Sequence, residues 1–260
     1  MSANLPLFAY NKYNDYTLPQ AGNRRYAQTT DKNTYQDDSS IFAKFQYNSN
    51  DNISTNAVDL LNNSIAALIK KYPNLRDNIE GLGGAFFNAN KDLSILNSYG
   101  LPLDTKMIFA QDNIAGTYNY ETHQLIFDAG KPGEAFKNFT HEFGHAIDYI
   151  DLNANGTSAD DVSYNQYGSF SSSSEFITAL YSDLKHMESL NIEAEYPQLV
   201  HSLSYSFGEV IDGNRFTYRN ARETFALLAS HIMSGEDQTS KIAEVLPNTY
   251  ALAKRKVETS

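Results

Sequence analysis

The chain has no cysteine, no long apolar run and more acidic than basic residues. Without cysteine it can form no disulfide and offers no thiolate, so any metal site must use histidine and carboxylate ligands. A mean hydropathy of -0.48 and the lack of a stretch of about 20 apolar residues argue against a membrane span. A net charge of -11 argues against nucleic acid and anionic lipid as partners, and it favours basic ones.

The N-terminus also lacks the basic n-region and apolar core of a secretory signal peptide. Hydrophobic residues are nevertheless 41% of the 260, enough for the core of one large domain. Residues 1–54 are rich in Tyr, Asn, Gln, Asp and Ser without an apolar period, and we interpret them as an irregular N-terminal extension. Residues 55–260 are then the predicted domain.

Periodic apolar residues predict helices at about 56–72, 134–151, 173–190, 220–234 and 241–257. Short β-branched and aromatic runs predict strands at 107–110 and 123–127, with 115–120 as the connection between them. The glycines of 81–84 indicate a turn or hinge. The fold class that follows is α+β, a mainly helical domain around a small mixed β-sheet.

The segment His141-Glu142-Phe143-Gly144-His145 has the pattern H-E-x-x-H, the signature of zinc metallopeptidases. Histidines four residues apart project from one helical face, so both imidazoles can reach one Zn2+ ion. Glu142 follows the first ligand and is placed to deprotonate a water at the metal. The flanking residues predict a buried helix, where two histidines and a glutamate without a partner would be costly.

A catalytic zinc site needs a third protein ligand, and three carboxylates are candidates. Asp151 takes the last position of the metzincin pattern, but Asp148 replaces the glycine that would break the helix there. Glu175 and Glu223 each begin an amphipathic helix, and each could instead be a capping-box residue, with Ser172 or Asn220 as the cap. Glu175 aligns with polar positions, whereas Glu223 aligns with Ala226, Leu227 and Ser230, a face suited to close packing. We therefore choose Glu223.

With these residues in place, the chain resembles the zinc metallopeptidase family of the anthrax lethal factor catalytic domain and the Pro-Pro endopeptidases. The likeness covers about 105–250 and is specific only around 141–148 and 219–226. It implies a zincin-like fold, the gluzincin ligand set His141, His145 and Glu223, and a secreted or translocated toxin or effector protease. The stretch between the two ligand helices is some thirty residues longer than in those relatives, enough to reshape a substrate cleft.

The family also places a tyrosine seven residues before the glutamate ligand, where it assists the transition state. In this chain that position is Phe216, and Tyr218 lies five residues before Glu223. We assign the catalytic hydroxyl to Tyr218, with Tyr205 or no tyrosine as the alternatives. Two further residues stay open: Asp148 either orients a ligand imidazole or lies on the surface, and His123 lies in the strand expected beside substrate.

The sequence as a whole predicts a zinc-dependent endopeptidase in which Glu142 is the general base. We expect a monomer that acts on a protein or peptide substrate and is cytoplasmic before export. The alternative is an inactive module that keeps a structural zinc ion, or none, and binds a partner through residues 1–54. Glu142 beside both histidines counts against that alternative, because a structural zinc site does not use a base.

Overall fold

Helices make up most of the described chain and surround one mixed five-stranded sheet. The computed structural model describes residues 32–34, 45–48, 55–87, 116–119, 123–130, 132–149, 169–207 and 218–260. The strands are β1 (Lys32–Thr34), β2 (Phe45–Asn48), β3 (Gly83–Phe87), β4 (Gly116–Asn119) and β5 (Gln124–Asp128). The helices are α1 (Thr55–Lys71), α2 (Arg76–Gly81), α3 (Pro132–Asp148), α4 (Ser174–Met187), α5 (Ile192–Glu195), α6 (Val200–Phe207), α7 (Tyr218–Ser234), α8 (Asp237–Ser240), α9 (Ile242–Val245) and α10 (Pro247–Thr259).

These elements confirm an α+β arrangement, with the predicted helices near 56–72, 134–151, 173–190 and 220–234 shifted by at most three residues at either end. The prediction of one helix at 241–257 is wrong in one respect, because the structure divides that segment into α9 and α10. Pro247 has no amide hydrogen to continue α9, and it takes a place in the first turn of α10. Within the described residues, no helix is both long and apolar enough to cross a membrane.

The sheet has the order β1-β2-β3-β5-β4, with antiparallel pairs at both ends and parallel pairs between them. It corrects three interpretations of the sequence. Two strands lie inside the segment taken as irregular, and Phe45 is buried in the core. Residues 116–119 form β4 where we expected a connection, and Gly83–Phe87 is a strand where we expected a hinge. The expected strand at 107–110 lies outside the described residues.

A row of phenylalanines joins the sheet to α3 and sets the orientation of that helix. Phe45 contacts Phe127 edge-on, with ring centroids 6.2 Å apart, and Phe127 contacts Phe139 at 5.7 Å. Phe139 then stacks on Phe143 at 5.7 Å, as residues four apart on a helix do. Because this face of α3 is held against the sheet, His141 and His145 project from a different face.

The longest contact of α3 is with α7, and small residues allow it to be close. A Cβ on Gly144 would lie 3.0 Å from the Cα of Ala226 and 3.2 Å from the Cβ of Ala229. One turn earlier, the Thr140 and Ser230 hydroxyls hydrogen-bond at 2.8 Å. This close crossing brings the first turns of α7 over the histidines of α3.

Candidate metal and catalytic site

His141, His145 and Glu223 meet where α3 and α7 cross, and together they could hold a metal ion. The two imidazoles extend from successive turns of α3, with ring centroids 5.1 Å apart and planes at 88°. Glu223 reaches them from α7, with its Oε2 atom 3.4 Å from Nε2 of His141 and 3.6 Å from Nε2 of His145. All three side chains are partly exposed, at 23%, 12% and 17%.

These distances fit an ion better than they fit direct contacts between the side chains. Glu223 Oε2 is buried and has no hydrogen-bond donor among the described residues, and 3.4–3.6 Å is longer than the usual N–H···O range. A tetrahedral ion with bonds of about 2.0–2.1 Å separates its ligand atoms by about 3.3–3.4 Å. Two neutral imidazoles and one carboxylate are also the donor set of many catalytic zinc sites.

The charges in this group favour an ionised Glu223. Burial works to raise the pKa of the Glu223 carboxyl, but attraction to His145 and His141 outweighs it and holds the pKa well below the usual range. For His145, burial is the larger effect, and it lowers the pKa of the imidazole. For His141, burial works to lower the pKa of the imidazole, but the hydrogen bond with Glu223 and the charges of Glu142 and Glu223 outweigh it and raise the pKa. The ionised Glu223 and the neutral His145 are in the protonation states that metal ligands require.

Glu142 lies beside this group and points into the space between α3 and the sheet. Its side chain is buried, and burial raises the pKa of the carboxyl to about 8. The closest strand is β4, since a Cβ on Gly116 would lie 2.5 Å from Cγ of Glu142 and 2.8 Å from its Oε1. Only a glycine leaves room there for the Glu142 carboxylate.

β4 is one edge of the sheet formed by the described strands, and it runs past the candidate base. We had expected 123–127 to be the edge strand. That interpretation is wrong, because β5 lies between β3 and β4. His123 is the residue just before β5, with a positive φ of 52°, and its Nδ1 hydrogen-bonds the Tyr118 hydroxyl at 2.8 Å.

The rejected ligand candidate Glu175 is not part of this group. Its side chain is 57% exposed and pairs with Arg255 at 2.9 Å, as expected for a polar helix face. The cap of its helix is Ser173, whose hydroxyl accepts the Phe176 amide, and not Ser172 as the capping-box alternative required. Asp151 and Phe216 lie outside the described residues.

Asp148 fits neither of the roles considered from the sequence. It is 1% exposed, and its carboxylate accepts the amide and the hydroxyl of Ser171, both at 2.7 Å. Burial raises the pKa of this carboxyl to about 6. Nδ1 of His145, the candidate ligand one turn before Asp148, is buried without a hydrogen bond among the described residues. Asp148 therefore ties the end of α3 to the turn at Phe170–Ser172.

The sequence did not point to Ser171, because a run of four serines carries no signal beyond a loop or a helix cap. Tyr218 begins α7, five residues before Glu223, and Tyr205 lies in α6; the side chains of both are outside the described residues.

No protein-family model, curated protein or solved structure matches this chain.

Proposed function

We propose that this protein is a zinc-dependent endopeptidase with His141, His145 and Glu223 as ligands. The observation that carries the proposal is the position of Glu223 Oε2, within 3.4–3.6 Å of both imidazoles and beside a buried Glu142. Three ligands leave a fourth position for water or substrate, as catalytic zinc sites require. A zinc ion held by these residues would supply Lewis-acid polarisation of the scissile carbonyl and of the attacking water.

The protein's own residues supply the proton transfers and the alignment of substrate. Glu142 takes a proton from the attacking water and returns it to the leaving amine. The edge strand β4 offers backbone groups to an extended peptide, which would add to the sheet beside Glu142. A hydroxyl donated to the developing oxyanion stays a prediction for Tyr218, and the kcat of Tyr218→Phe tests it.

The decisive experiment compares Glu142→Ala with the unmodified protein on casein and on a peptide library. The substitution removes the proton carrier and no ligand, so we expect full zinc content and a rate lower by about 100- to 10,000-fold. A chelator should abolish cleavage by the unmodified protein, and added zinc should restore it. A Glu142→Ala protein that keeps more than about a tenth of the activity would contradict the mechanism.

The second candidate is a binding module with a structural zinc ion, and the same experiment separates it. Such a module would bind zinc as well but would cleave no peptide in either form. Glu142 is buried against Gly116, and no ion pair with another described residue explains that burial, which favours the enzyme. Secretion or delivery into a target cell rests on the family resemblance alone, and fractionation of cells and medium tests it.

A further inference from the structure

A second concave site lies one helical turn beyond Glu142 and is not used by the proposed mechanism. It is a pocket of about 290 Å³ between the β4–β5 hairpin, α2 and α3. The wall formed by the β4–β5 hairpin consists of Tyr118 and His123, and the wall formed by α3 consists of Phe143 and Ala146. The α2 segment contributes Asp77 near its start and Leu82 at its end.

The pocket is in register with the candidate active site along β4 and α3, two of the elements that build it. Gly116 lies against Glu142, and Tyr118, two residues further along β4, lines the pocket. On α3, Ala146 lies four residues after Glu142 and also lines it. Two residues of strand and four of helix each cover about 6–7 Å, so strand and helix advance together from the base to the pocket.

An extended substrate paired with β4 would place one side chain at this pocket. Residues directly opposite each other in two paired strands have side chains on the same face of the sheet. A substrate residue opposite Tyr118 therefore points towards α3, as Tyr118 does. If the substrate runs antiparallel to β4, the residue opposite Tyr118 comes two positions before the residue opposite Gly116 in the substrate sequence. The residue opposite Gly116 lies beside Glu142.

The lining of the pocket indicates what kind of side chain fits. Leu82, Tyr118, Phe143 and Ala146 are buried and give it apolar walls. Among the lining residues that the structure describes, Asp77 contributes the one carboxylate and none is Lys or Arg. Long basic side chains pack their methylene groups on apolar surface and keep the charged end at a polar rim. The net charge of -11 favours the same ligands.

We propose that this pocket is a specificity subsite that takes a Lys or Arg side chain on the N-terminal side of the scissile bond. The inference rests on the proposed endopeptidase function. The aliphatic part of the side chain lies against Phe143 and Leu82, and the ammonium or guanidinium group pairs with Asp77. The subsite selects among substrates and takes no part in the chemistry.

Cleavage of a peptide library by the zinc-loaded protein tests the subsite. We expect Lys or Arg to be preferred over norleucine, a neutral side chain of similar length, by about three- to fivefold, the range of a partly exposed ion pair. The preference should fall two or three residues before the scissile bond. A profile without it, or with it on the C-terminal side, overturns the proposal.

Variants of Asp77 connect that preference to the pocket. Asp77→Asn should remove the preference for Lys and Arg, and Asp77→Lys should replace it with one for Asp or Glu. The matched control is Asp59→Lys, since Asp59 is an exposed acid of α1 that does not line the pocket. An unchanged profile in both Asp77 variants, or an equal change in Asp59→Lys, overturns the assignment.

A binding experiment separates failure of the subsite from failure of the proposed enzyme. Full-length Glu142→Ala protein is titrated into a fluorescent peptide carrying either Lys or norleucine, with Asp77 intact or replaced by Asn. Tighter binding of the Lys peptide that depends on Asp77 supports the subsite even if no peptide is cleaved. Equal binding of both peptides overturns the subsite whether or not the protein is a protease.

Discussion

The two glutamates considered as third ligand have opposite surroundings. Glu223 is enclosed with two imidazoles, whereas Glu175 is exposed and pairs with Arg255. We expect Glu223→Ala to weaken zinc binding by more than about 100-fold, since even residues behind the ligands contribute 10- to 100-fold. Glu175→Ala and Asp151→Ala should bind one zinc ion per chain. Competition with a chromophoric chelator measures all three, and zinc loss from either control with retention in Glu223→Ala would contradict the ligand set.

Gly116 tests the placement of Glu142, the proposed general base, without changing any ionisable group. A Cβ there would come within 2.5 Å of Cγ of Glu142 and 2.7 Å of the Ile126 carbonyl, so Gly116→Ala must displace the carboxylate or the strand. A shift of about 1 Å in a catalytic group costs about 100-fold in rate. We expect kcat to fall by that order while zinc content is kept.

Two other glycines separate this effect from damage to the sheet. A Cβ on Gly84, in β3, would lie 1.9 Å from the Leu125 carbonyl, so Gly84→Ala should lower the melting temperature without touching Glu142. Gly81 has open space around it, so Gly81→Ala should not lower the melting temperature. If Gly84→Ala lowers kcat as much as Gly116→Ala at a temperature where both are folded, the positioning role is wrong.

The sequence predicts single residues best where a helical spacing links them. His141, Glu142 and His145 follow from one turn of helix, and Glu223 follows from the small residues on its face of α7. Asp148 could not be assigned in this way, because its partner Ser171 lies 23 residues away along the chain. Only the folded chain brings such a pair together, and either helix end alone looks like solvent-exposed sequence.

At the scale of elements, the crossing of α3 and α7 sets the geometry of the ligands. A Cβ on Gly144 would lie only 3.0 Å from Cα of Ala226 and 3.2 Å from Cβ of Ala229, tighter than ordinary contact, whereas a Cβ on Gly133 in the same helix would meet nothing within 4 Å. Gly144→Ala should therefore push the helices apart, lower the melting temperature and weaken zinc binding. Gly133→Ala should leave zinc binding unchanged and stabilise the helix by at most about 1 kcal/mol.

Zinc titration and thermal unfolding of both variants check this pair. The informative measurement is the difference in zinc affinity and melting temperature between these two Gly→Ala variants of one helix. Helix propensity rises in both, so it does not account for that difference. Equal zinc affinity in Gly144→Ala and Gly133→Ala would show that the ligand helices adjust without cost. The close packing of α3 on α7 would then not control the metal group.

The longer helices were predictable from the sequence because of their apolar stripes, as on α1, where Val58, Leu61, Ile65 and Leu68 are buried. The sheet was less predictable. β1 and β4 have three and four residues, too few to show an alternating pattern, and β4 begins with a glycine that normally indicates a turn. Pairing partners such as β2 and β3 are also distant in sequence, so no local pattern indicates them.

At the scale of the whole molecule, metal binding and folding should be coupled. The three candidate ligands come from α3 and α7, which are brought together only in the folded chain, so zinc binds the native state in preference to the unfolded one. With free zinc at about 100 times its dissociation constant, the added stability is about 2.7 kcal/mol. For a chain of this size that corresponds to a rise in melting temperature of about 5–11 °C.

Thermal unfolding with and without zinc measures this coupling in the unmodified protein, Glu142→Ala and Glu223→Ala. We expect the full shift in the first two and little or none in Glu223→Ala, since Glu142 binds no metal in the proposed site. A structural-zinc module would give the same shifts, so they test the ligand set and not the enzyme. A protein that gains no stability from zinc contradicts both, because the histidines and Glu223 would then lie together without the ion that their spacing fits.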